Sequence, residues 1–377
     1  MSSRVLNMLY IYNDSRSVSR ILGNELALEE DTSGSRVLLI NMRSYQSDLL
    51  EQDQRSVVDR RNFFVDILNR NDDLRKPGVP AFDVVQLDRL KLSADHTPED
   101  WMRLAQLIRE KYHQYRGFVV ESGSDNMVST STALSFLLEN LGKPVIFTGS
   151  LIPGDRIYTD MKRNIILALL FASCSQVCEV CILFDQTLFR ASRAIKVNRN
   201  NLRPFDSPHF PPIATMQGGS LVIHRPLLLP HPTGRLRVCA QLYSKVLTLD
   251  LGPGAPLESF LIAVEKTAAP AVLLRCYGSG NGPTRNGFMK QLLANAKRRD
   301  LVVVICTQNL YGAVDLAEYE AGRQLMEAGA ISAGDMTQEA AAIKLKYLFG
   351  LGMSPAQVRA CFLTPLRGEV SPPVSKL

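Results

Sequence analysis

Short apolar runs are interspersed with amphipathic segments along most of the chain. Strand-like runs such as VLLINM, FDVVQL, GFVV, KPVIFTG and VCILFD occur among helical patterns such as PEDWMRLAQLIREKY and MKRNIILALLFAS. Strands that alternate with helices indicate parallel β-α-β units, with helices on both faces of one sheet. The run from Val5 to Tyr12 predicts a further core strand near the start. The chain is therefore predicted to have an α/β fold.

The length of the chain and one change in its composition predict two domains. A chain of 377 residues is longer than one ordinary hydrophobic core requires. Between about Arg203 and Arg237 the segments RPFDSPHFPPIATMQGG and HRPLLLPHPTGR are dense in proline and glycine, which is typical of a surface linker with little regular structure. We predict a larger N-terminal parallel-sheet domain over residues 1–204, a linker over 205–237, a smaller C-terminal α/β domain over 238–370 and a tail over 371–377.

The overall composition indicates a globular protein and gives no sign of nucleic-acid or membrane binding. Hydrophobic residues make up 46% of the chain and charged residues 21%, which is typical of folded domains. The net charge of +6 is small for this length, and basic residues alternate with acidic ones, so we expect no nucleic-acid partner. No apolar run reaches the roughly eighteen residues that a membrane span requires.

The seven cysteines are an odd number and lie mostly in apolar runs. The spacing of Cys174, Cys178 and Cys181 suggests a metal site, but no fourth ligand is nearby and VCEVCILF is typical of a strand. We therefore expect buried reduced thiols, no metal and a reducing compartment. The N-terminal segment, with arginine and serine but little acid, faintly resembles a transit peptide. Its strand-like run favours the cytoplasm instead.

Three polar loops follow predicted strands, where ligands bind in doubly wound sheets. They are Ser122 to Asn126, Thr148 to Ser150, and Gly278 to Thr284; Lys196 follows the strand CILFD. A hydroxyl, a carboxylate and a lysine together can activate a water or a hydroxyl nucleophile. Ser124 and Asp125 equally suit the start of the next helix, and Lys196 suits a solvated surface. The residues alone leave both interpretations open.

The run ESGSDNMVSTSTALSFLLENLGKPVIFTGSLIP resembles the second signature of the cytosolic, type I L-asparaginases, where a strand leads into His-Gly-Thr-Asp-Thr-Met before a helix. The similarity continues through LSADHTPEDW, YGSGNGPT, GDMTQEAAAIKLKYLFGLGMSP and LRGEV, over about residues 80 to 370. The resemblance implies a larger N-terminal and a smaller C-terminal α/β domain. It also implies intimate homodimers that hydrolyse asparagine to aspartate and ammonia without metal or cofactor, with each site between the N-terminal domain of one chain and the C-terminal domain of its partner.

The resemblance assigns roles to five residues of this sequence. Ser124 and Asp125 match the Thr-Asp pair of the second signature, and Lys196 matches the lysine that completes the triad. Ser93 matches a substrate-binding serine, although Ala94 stands where a second polar contact is usual. Asn281 matches the loop residue that approaches the substrate from the partner chain.

Several positions depart from the family pattern. The first signature of the family is Thr-Gly-Gly-Thr-Ile, and its second threonine is the nucleophile on a mobile lid. In this chain the predicted first strand runs into Asn13-Asp14-Ser15-Arg16-Ser17. An ungapped alignment therefore puts Arg16 at the position of the nucleophile. Both glycines are lost, so a lid is not expected to close in the family's way. The other departures are Ser122 for a histidine, Asn126 for a threonine, and Ile195 and Asn309 in a regulatory pocket whose arginine matches Arg275.

These departures predict a pseudoenzyme. Loss of one member of a nucleophilic triad lowers turnover by factors on the order of 10⁴ to 10⁶. We therefore expect a catalytically inactive, asparaginase-like protein with a structural or interaction role in a cytoplasmic homodimer, a tetramer or a larger assembly, with room for an asparagine-like ligand. The alternative is an active L-asparaginase in which Ser15 or Ser17 is the nucleophile beside Ser124, Asp125 and Lys196.

Overall fold

A computed structural model of the protein describes residues 35–44, 57–239, 241–242, 245–283 and 287–372. The predicted first strand and the first-loop residues Ser15, Arg16 and Ser17 lie outside the described residues. The last residues of the predicted tail, 373–377, do so as well.

The N-terminal part is built on one large sheet. The strands of the N-terminal part, eight of which form this sheet while β4 pairs with β12 and β8 with β9, are in chain order β1 (Val37–Arg43), β2 (Phe82–Lys91), β3 (Gly117–Glu121), β4 (Leu138–Glu139), β5 (Val145–Thr148), β6 (Val180–Phe184), β7 (Thr187–Arg190), β8 (Ile195–Lys196), β9 (Phe205–Asp206), β10 (Ala214–Gln217), β11 (Ser220–Ile223) and β12 (Arg237–Val238). Its helices are α1 (Val57–Asn69), α2 (Pro98–Lys111), α3 (Met127–Leu137) and α4 (Met161–Ala172).

The large sheet has the strand order β11-β10-β7-β6-β5-β3-β1-β2. The five strands from β6 to β2 in this order run parallel, and β7, β10 and β11 are antiparallel. Val119 and Val120 of β3 are fully buried, because helices cover both faces of the parallel strands, which is why these strands are continuous apolar runs. The predicted parallel-sheet α/β fold is confirmed.

The segment predicted to be a linker, residues 205–237, adds two strands to this sheet. Strand β10 pairs with β7, with Ala214 opposite Leu188, and forms a hairpin with β11. The hairpin turn is Gly218-Gly219, with φ of 55° and 83°, values that favour glycine at both positions of a two-residue turn. The prediction of little regular structure is therefore wrong for residues 214–223, because the glycine pair forms a hairpin turn.

The C-terminal part has a smaller sheet. Its elements are β13 (Leu247–Asp250), α5 (Leu257–Lys266), β14 (Ala271–Cys276), α6 (Phe288–Arg298), β15 (Val302–Thr307), α7 (Glu320–Glu327), β16 (Ile331–Ser332), α8 (Gln338–Gly350) and α9 (Pro355–Cys361). The strands run parallel in the order β13-β14-β15-β16. The predicted smaller α/β unit is thus confirmed as a fold.

Helices α3 and α8 join the two parts. The rings of Phe136 and Tyr347 lie 5.2 Å apart between these helices. The hydroxyl of Tyr347 donates a hydrogen bond to Glu139 Oε1 over 2.8 Å, and burial raises the pKa of this tyrosine. Ser371, the first residue of the predicted tail, donates its backbone N–H to Asp335 Oδ1 over 2.8 Å. Within the described ranges, no helix is long and apolar enough to cross a membrane.

Candidate active site

The candidate site lies where three elements of the N-terminal part end. The loop Ser122 to Asn126 joins β3 to α3, and the short strand β8 carries Lys196. Ser93 begins a 3₁₀ turn, Ser93–Asp95, directly after β2. The parallel strands β2 and β3 end at the same edge of the sheet, so Ser93 and the Ser122 to Asn126 loop meet at the carboxyl edge, where ligands bind in such folds. Strand β8 pairs with β9 outside the large sheet, and Lys196 reaches the loop through its side chain.

Lys196 contacts both polar residues of the second-signature loop. Its Nζ donates to Ser124 Oγ over 2.9 Å and to Asp125 Oδ1 over 2.6 Å. The side chains of Lys196 and Asp125 are 24% and 72% exposed, so water screens the ion pair and it contributes little to stability. The contacts fix the positions of a hydroxyl, a carboxylate and an amine, which is the arrangement that proton transfer requires.

The alternative interpretation, in which Ser124 and Asp125 cap the next helix, is not what the geometry shows. The residue at the N-cap of α3 is Asn126, and its side chain makes no capping bond. Its Nδ2 donates instead to the backbone oxygen of His96 over 3.3 Å. Burial lowers the pKa of His96, which favours the neutral imidazole beneath the loop.

Ser93 supports the loop from the side of β2. It is buried, and its Oγ accepts a hydrogen bond from the backbone N–H of Asp125 over 3.3 Å. A Cβ atom added at Gly123 would lie 2.6 Å from Ser93 Oγ, so this close approach requires glycine. Ser93, predicted to bind substrate, here holds the backbone that presents Ser124 and Asp125.

The neighbours of β3 decide which loop lies beside Ser124. Strand β3 pairs with β1 on one edge, with Asn41 opposite Glu121, and with β5 on the other, with Glu121 opposite Thr148. Both edges of β3 are therefore occupied. Ser44, the last described residue after β1, therefore follows the strand that pairs with β3 beside the Ser124 loop. The sequence alignment predicts that Arg16 takes the position of the family's nucleophile. Arg16 lies outside the described residues, so this remains a prediction.

Arg43, the last residue of β1, was not identified from the sequence. Its Nη1 donates to the backbone oxygen and the Oγ of Ser150, over 3.3 and 3.2 Å. The same nitrogen lies 3.9 Å from Oε1 of Glu121, whose side chain is fully buried at the end of β3. The guanidinium of Arg43 thus lies at the end of β1, beside the ends of β3 and β5. The only sequence signal was the change from the apolar run VLLINM to Arg43-Ser44.

Ser122 stands where the family has a histidine. It is fully buried, and its hydroxyl donates to the backbone oxygen of Gly123 over 3.3 Å. Its backbone N–H donates to Thr148. The backbone of residue 122 therefore continues the pairing of β3 with β5 into the loop, whichever side chain it carries.

Asn281 and Arg275 lie in the C-terminal part. Asn281 closes a turn with Tyr277 through two backbone hydrogen bonds of 2.8 and 2.9 Å. Among the described residues, no hydrogen bond joins Asn281 to Ser124, Asp125 or Lys196. Arg275 Nη1 donates to Asp250 Oδ2 over 2.5 Å, so the arginine of the regulatory motif forms an ion pair within its own sheet.

The cysteines form no metal site in the part of the chain that the structure describes, where no cluster of three or more His, Cys, Asp or Glu residues could hold an ion. Cys178 Sγ lies 3.1 Å from Nδ1 of His231. Burial raises the pKa of Cys178 to about 12, so the group is a protonated thiol rather than a thiolate ligand.

Family models match both parts of the chain. A model described as "Asparaginase, N-terminal" matches residues 50–229, and one described as "Glutaminase/Asparaginase C-terminal domain" matches residues 245–362. The chain belongs to the type I asparaginase family. The resemblance drawn from the second signature and the C-terminal motifs is thereby confirmed.

Individual relatives agree with this family assignment. The chain is 36% identical to L-asparaginase 1 of Escherichia coli K12 over 307 residues, or 80% of this chain and 88% of that protein. It is 40% identical to the human 60 kDa lysophospholipase over 294 residues, which cover 78% of this chain and 51% of that protein. The chain thus spans about half the length of this human relative. The crystal structure of L-asparaginase I from Vibrio cholerae has a TM-score of 0.79 at 31% identity, covering 90% of this chain and 100% of that one.

Proposed function

We propose that this asparaginase-family protein has lost efficient hydrolysis of asparagine and has a structural or ligand-binding role. The supporting observation is the exit of β1 beside the Ser124 loop. Strand β1 pairs with β3, so its exit, Arg43-Ser44 rather than the aligned Asp14-Ser15, is where we place the two lid glycines of the family, and neither residue is glycine. The guanidinium of Arg43 is also bonded to Ser150 at this edge of the sheet.

The rest of the site favours retained binding of a small amino-acid-like ligand. Ser124, Asp125 and Lys196 are connected by hydrogen bonds, and Ser93 holds their loop in place. Such a preformed set of hydroxyl, carboxylate and ammonium groups is complementary to an amino acid, which carries both charges. We propose that the functional form is a cytoplasmic homodimer, alone or within a larger assembly. The reason is that the family resemblance implies active sites that are each built from two chains.

An ammonia-release assay with L-asparagine tests this proposal. We expect turnover at least about 10⁴-fold below that of E. coli L-asparaginase 1 assayed in parallel, because loss of a catalytic group has an effect of this size. Binding of L-asparagine or L-aspartate is measured by calorimetry on the same preparation. Turnover within about a hundredfold of the bacterial enzyme would refute the proposal and favour the alternative with Ser15 or Ser17 as nucleophile.

A further inference from the structure

The edge of the small sheet where β15 begins contains a cavity that shares no residue with the candidate active site. Its volume is about 300 Å³, at the small end of the range for small-molecule sites. Leu293 and Ala296 of α6, together with Leu301 and Val303 around the start of β15, line its floor, and each is at most 6% exposed. Such a floor favours an apolar group of a ligand.

Helices α6 and α7 both end at this cavity. Shortly after each helix a cavity-lining residue has positive φ, 52° at Asp300 and 96° at Gly329. The next backbone N–H, of Leu301 and of Ala330, donates back to the helix over 2.9 and 3.0 Å. The carboxyl end of a helix carries a partial negative charge. Two such ends therefore favour the positively charged group of a ligand.

Arg359 of α9 fixes the wall formed by Asp300. Its two terminal nitrogens donate to Asp300 Oδ1 over 3.1 Å each, and Nη2 also donates to the backbone oxygen of Leu301 over 2.9 Å. Aspartate at positive φ is less favourable than glycine, so the contact with Arg359 stabilises this backbone. The cavity is therefore preformed, which reduces the entropy lost on binding.

Two side chains of opposite charge lie at the rim. Lys297 of α6 and Glu327 of α7 both line the cavity, and both are exposed. In the described part of the chain, neither belongs to an ion pair. An α-amino acid carries its ammonium and its carboxylate on one carbon, next to its side chain. The apolar floor and the two rim charges are together complementary to that arrangement.

We propose that this cavity binds a free α-amino acid with an apolar side chain of moderate size, such as L-leucine. The side chain packs on the floor, the ammonium lies toward Glu327 and the carboxyl end of α7, and the carboxylate lies toward Lys297. This inference goes beyond the proposed function, which concerns the Ser124 loop in the N-terminal part, and does not depend on it.

Thermal melting of the purified full chain with L-leucine tests the proposal. A ligand that binds only the folded state raises the melting temperature as the site saturates. Glycine at the same concentration is the control, because it carries both charges without a side chain and reports the general effect of amino acids on stability. We expect a Kd on the order of 1 mM, because small ligands gain little free energy per atom. At ten times the Kd the rise beyond glycine should be about 1–3 °C.

Two analogues and two variants test the charged contacts. Isocaproate lacks the ammonium and L-leucinamide lacks the carboxylate, so each should bind at least about tenfold more weakly than L-leucine. Glu327→Gln should weaken L-leucine by a similar factor, whereas Glu258→Gln, at an exposed glutamate of α5, should leave the Kd unchanged. In Lys297→Met the difference between L-leucine and L-leucinamide should disappear, because the partner of the carboxylate is gone.

A cavity-filling variant and hydrogen exchange locate the ligand. Ala328→Leu puts a larger side chain into the cavity and should abolish the rise, whereas Ala294→Leu, at an exposed alanine of α6 that does not line the cavity, should retain it. Hydrogen exchange of the wild type needs no variant. We expect slower exchange with L-leucine in peptides that cover residues 293–303 and 325–330.

Three results would overturn the inference. The first is a rise in melting temperature no greater than that with glycine. The second is equal binding of L-leucine and isocaproate. The third is slower exchange in the Ser122 to Asn126 loop with no change at residues 293–303, which would place L-leucine in the candidate active site. The ammonia-release assay reports on that other site, so the fate of this inference and that of the proposed function can be told apart.

Discussion

Gly123 and Ser93 show how tightly the site loop is built at single residues. A Cβ atom at residue 123 would lie 2.6 Å from Ser93 Oγ and 2.9 Å from Ser93 Cβ. The second of these atoms sits next to the backbone and cannot swing away. We therefore expect Gly123→Ala to lower the free energy of unfolding by about 1–3 kcal/mol, measured by urea denaturation.

Ser93→Gly removes both clashing atoms, together with the bond to the backbone N–H of Asp125, so Gly123→Ala should cost less than about 0.5 kcal/mol when it is added to a Ser93→Gly background. Gly252→Ala is the matched control, because no atom lies within 4 Å of a Cβ at that position. It should change stability by less than about 0.5 kcal/mol. Equal losses in Gly123→Ala and Gly252→Ala would show that the contact with Ser93 does not constrain the loop.

Lys344 and Glu369 form a fully buried ion pair in the C-terminal part. Their charged atoms are 2.5 Å apart, and both side chains are 0% exposed. Burial alone would raise the pKa of Glu369, but Lys344 and the backbone N–H of Arg367 outweigh it and the pKa is lowered. We expect Lys344→Met to lower the free energy of unfolding by about 3–5 kcal/mol, because it leaves a carboxylate buried without its counter-charge.

Chemical denaturation of a second variant checks this explanation. Lys344→Met/Glu369→Gln carries no buried charge and should be more stable than Lys344→Met by about 1–3 kcal/mol. Lys297→Met, at an exposed lysine of α6, should change little. A double variant no more stable than Lys344→Met would assign the loss to side-chain packing instead.

Among the secondary-structure elements, the hairpin β10–β11 extends the large sheet through a turn of two glycines. Residues other than glycine and asparagine are strained at positive φ. We therefore expect Gly218→Val to lower the free energy of unfolding by about 1–3 kcal/mol, whereas Gly218→Asn, suited to this turn, should cost less than about 0.5 kcal/mol. Urea titration of the two variants measures the difference. Equal stability of the two would show that the turn adapts without strain.

The same hairpin shows what the sequence could predict about the elements and what it could not. The apolar runs of β3, β5 and β6 were predicted because burial on both faces makes a strand continuously hydrophobic. Strands β10 and β11 were missed because their composition, rich in nearby proline and glycine, was given more weight than the turn geometry of Gly218-Gly219. The cation at the exit of β1 was missed for another reason. The proximity of Arg43 to Glu121 depends on the strand order, which local patterns do not encode.

At the scale of the whole molecule, Arg193 ties the two parts together. It is 2% exposed and lies 2.9 Å from Asp335 Oδ2, and its Nε donates to the backbone oxygen of Gly368 over 2.6 Å. Ser371, at the far end of the chain, donates its hydroxyl to Asp335 as well. The contact between the two parts thus depends on the carboxylate of Asp335. No local pattern in the sequence indicated that these residues lie close together, because they are far apart along the chain.

The stability of this union should depend on pH. Burial alone would raise the pKa of Asp335, but the hydrogen bonds from Ser371 and the charge of Arg193 outweigh it, so the pKa is lowered. A lowered folded-state pKa contributes stability that is complete above the unfolded value, near about 3.9, and is lost as pH falls through the folded value. We expect the unfolding free energy of the wild type to fall as the solution is acidified below about pH 5, with part of that loss from Asp335 once the pH passes below about 3.9.

Urea denaturation at about pH 7 and pH 3 separates the contribution of Asp335 from the rest of the unfolding free energy that is lost on acidification. Asp335→Asn should be less stable than the wild type at neutral pH, because the amide cannot pair with Arg193, yet it should lose less stability on acidification. Asp66→Asn, at an exposed aspartate, is the control and should follow the wild-type curve. If Asp335→Asn and the wild type lost equal free energy between the two pH values, the carboxylate of Asp335 would not be the acid-sensitive contact between the two parts.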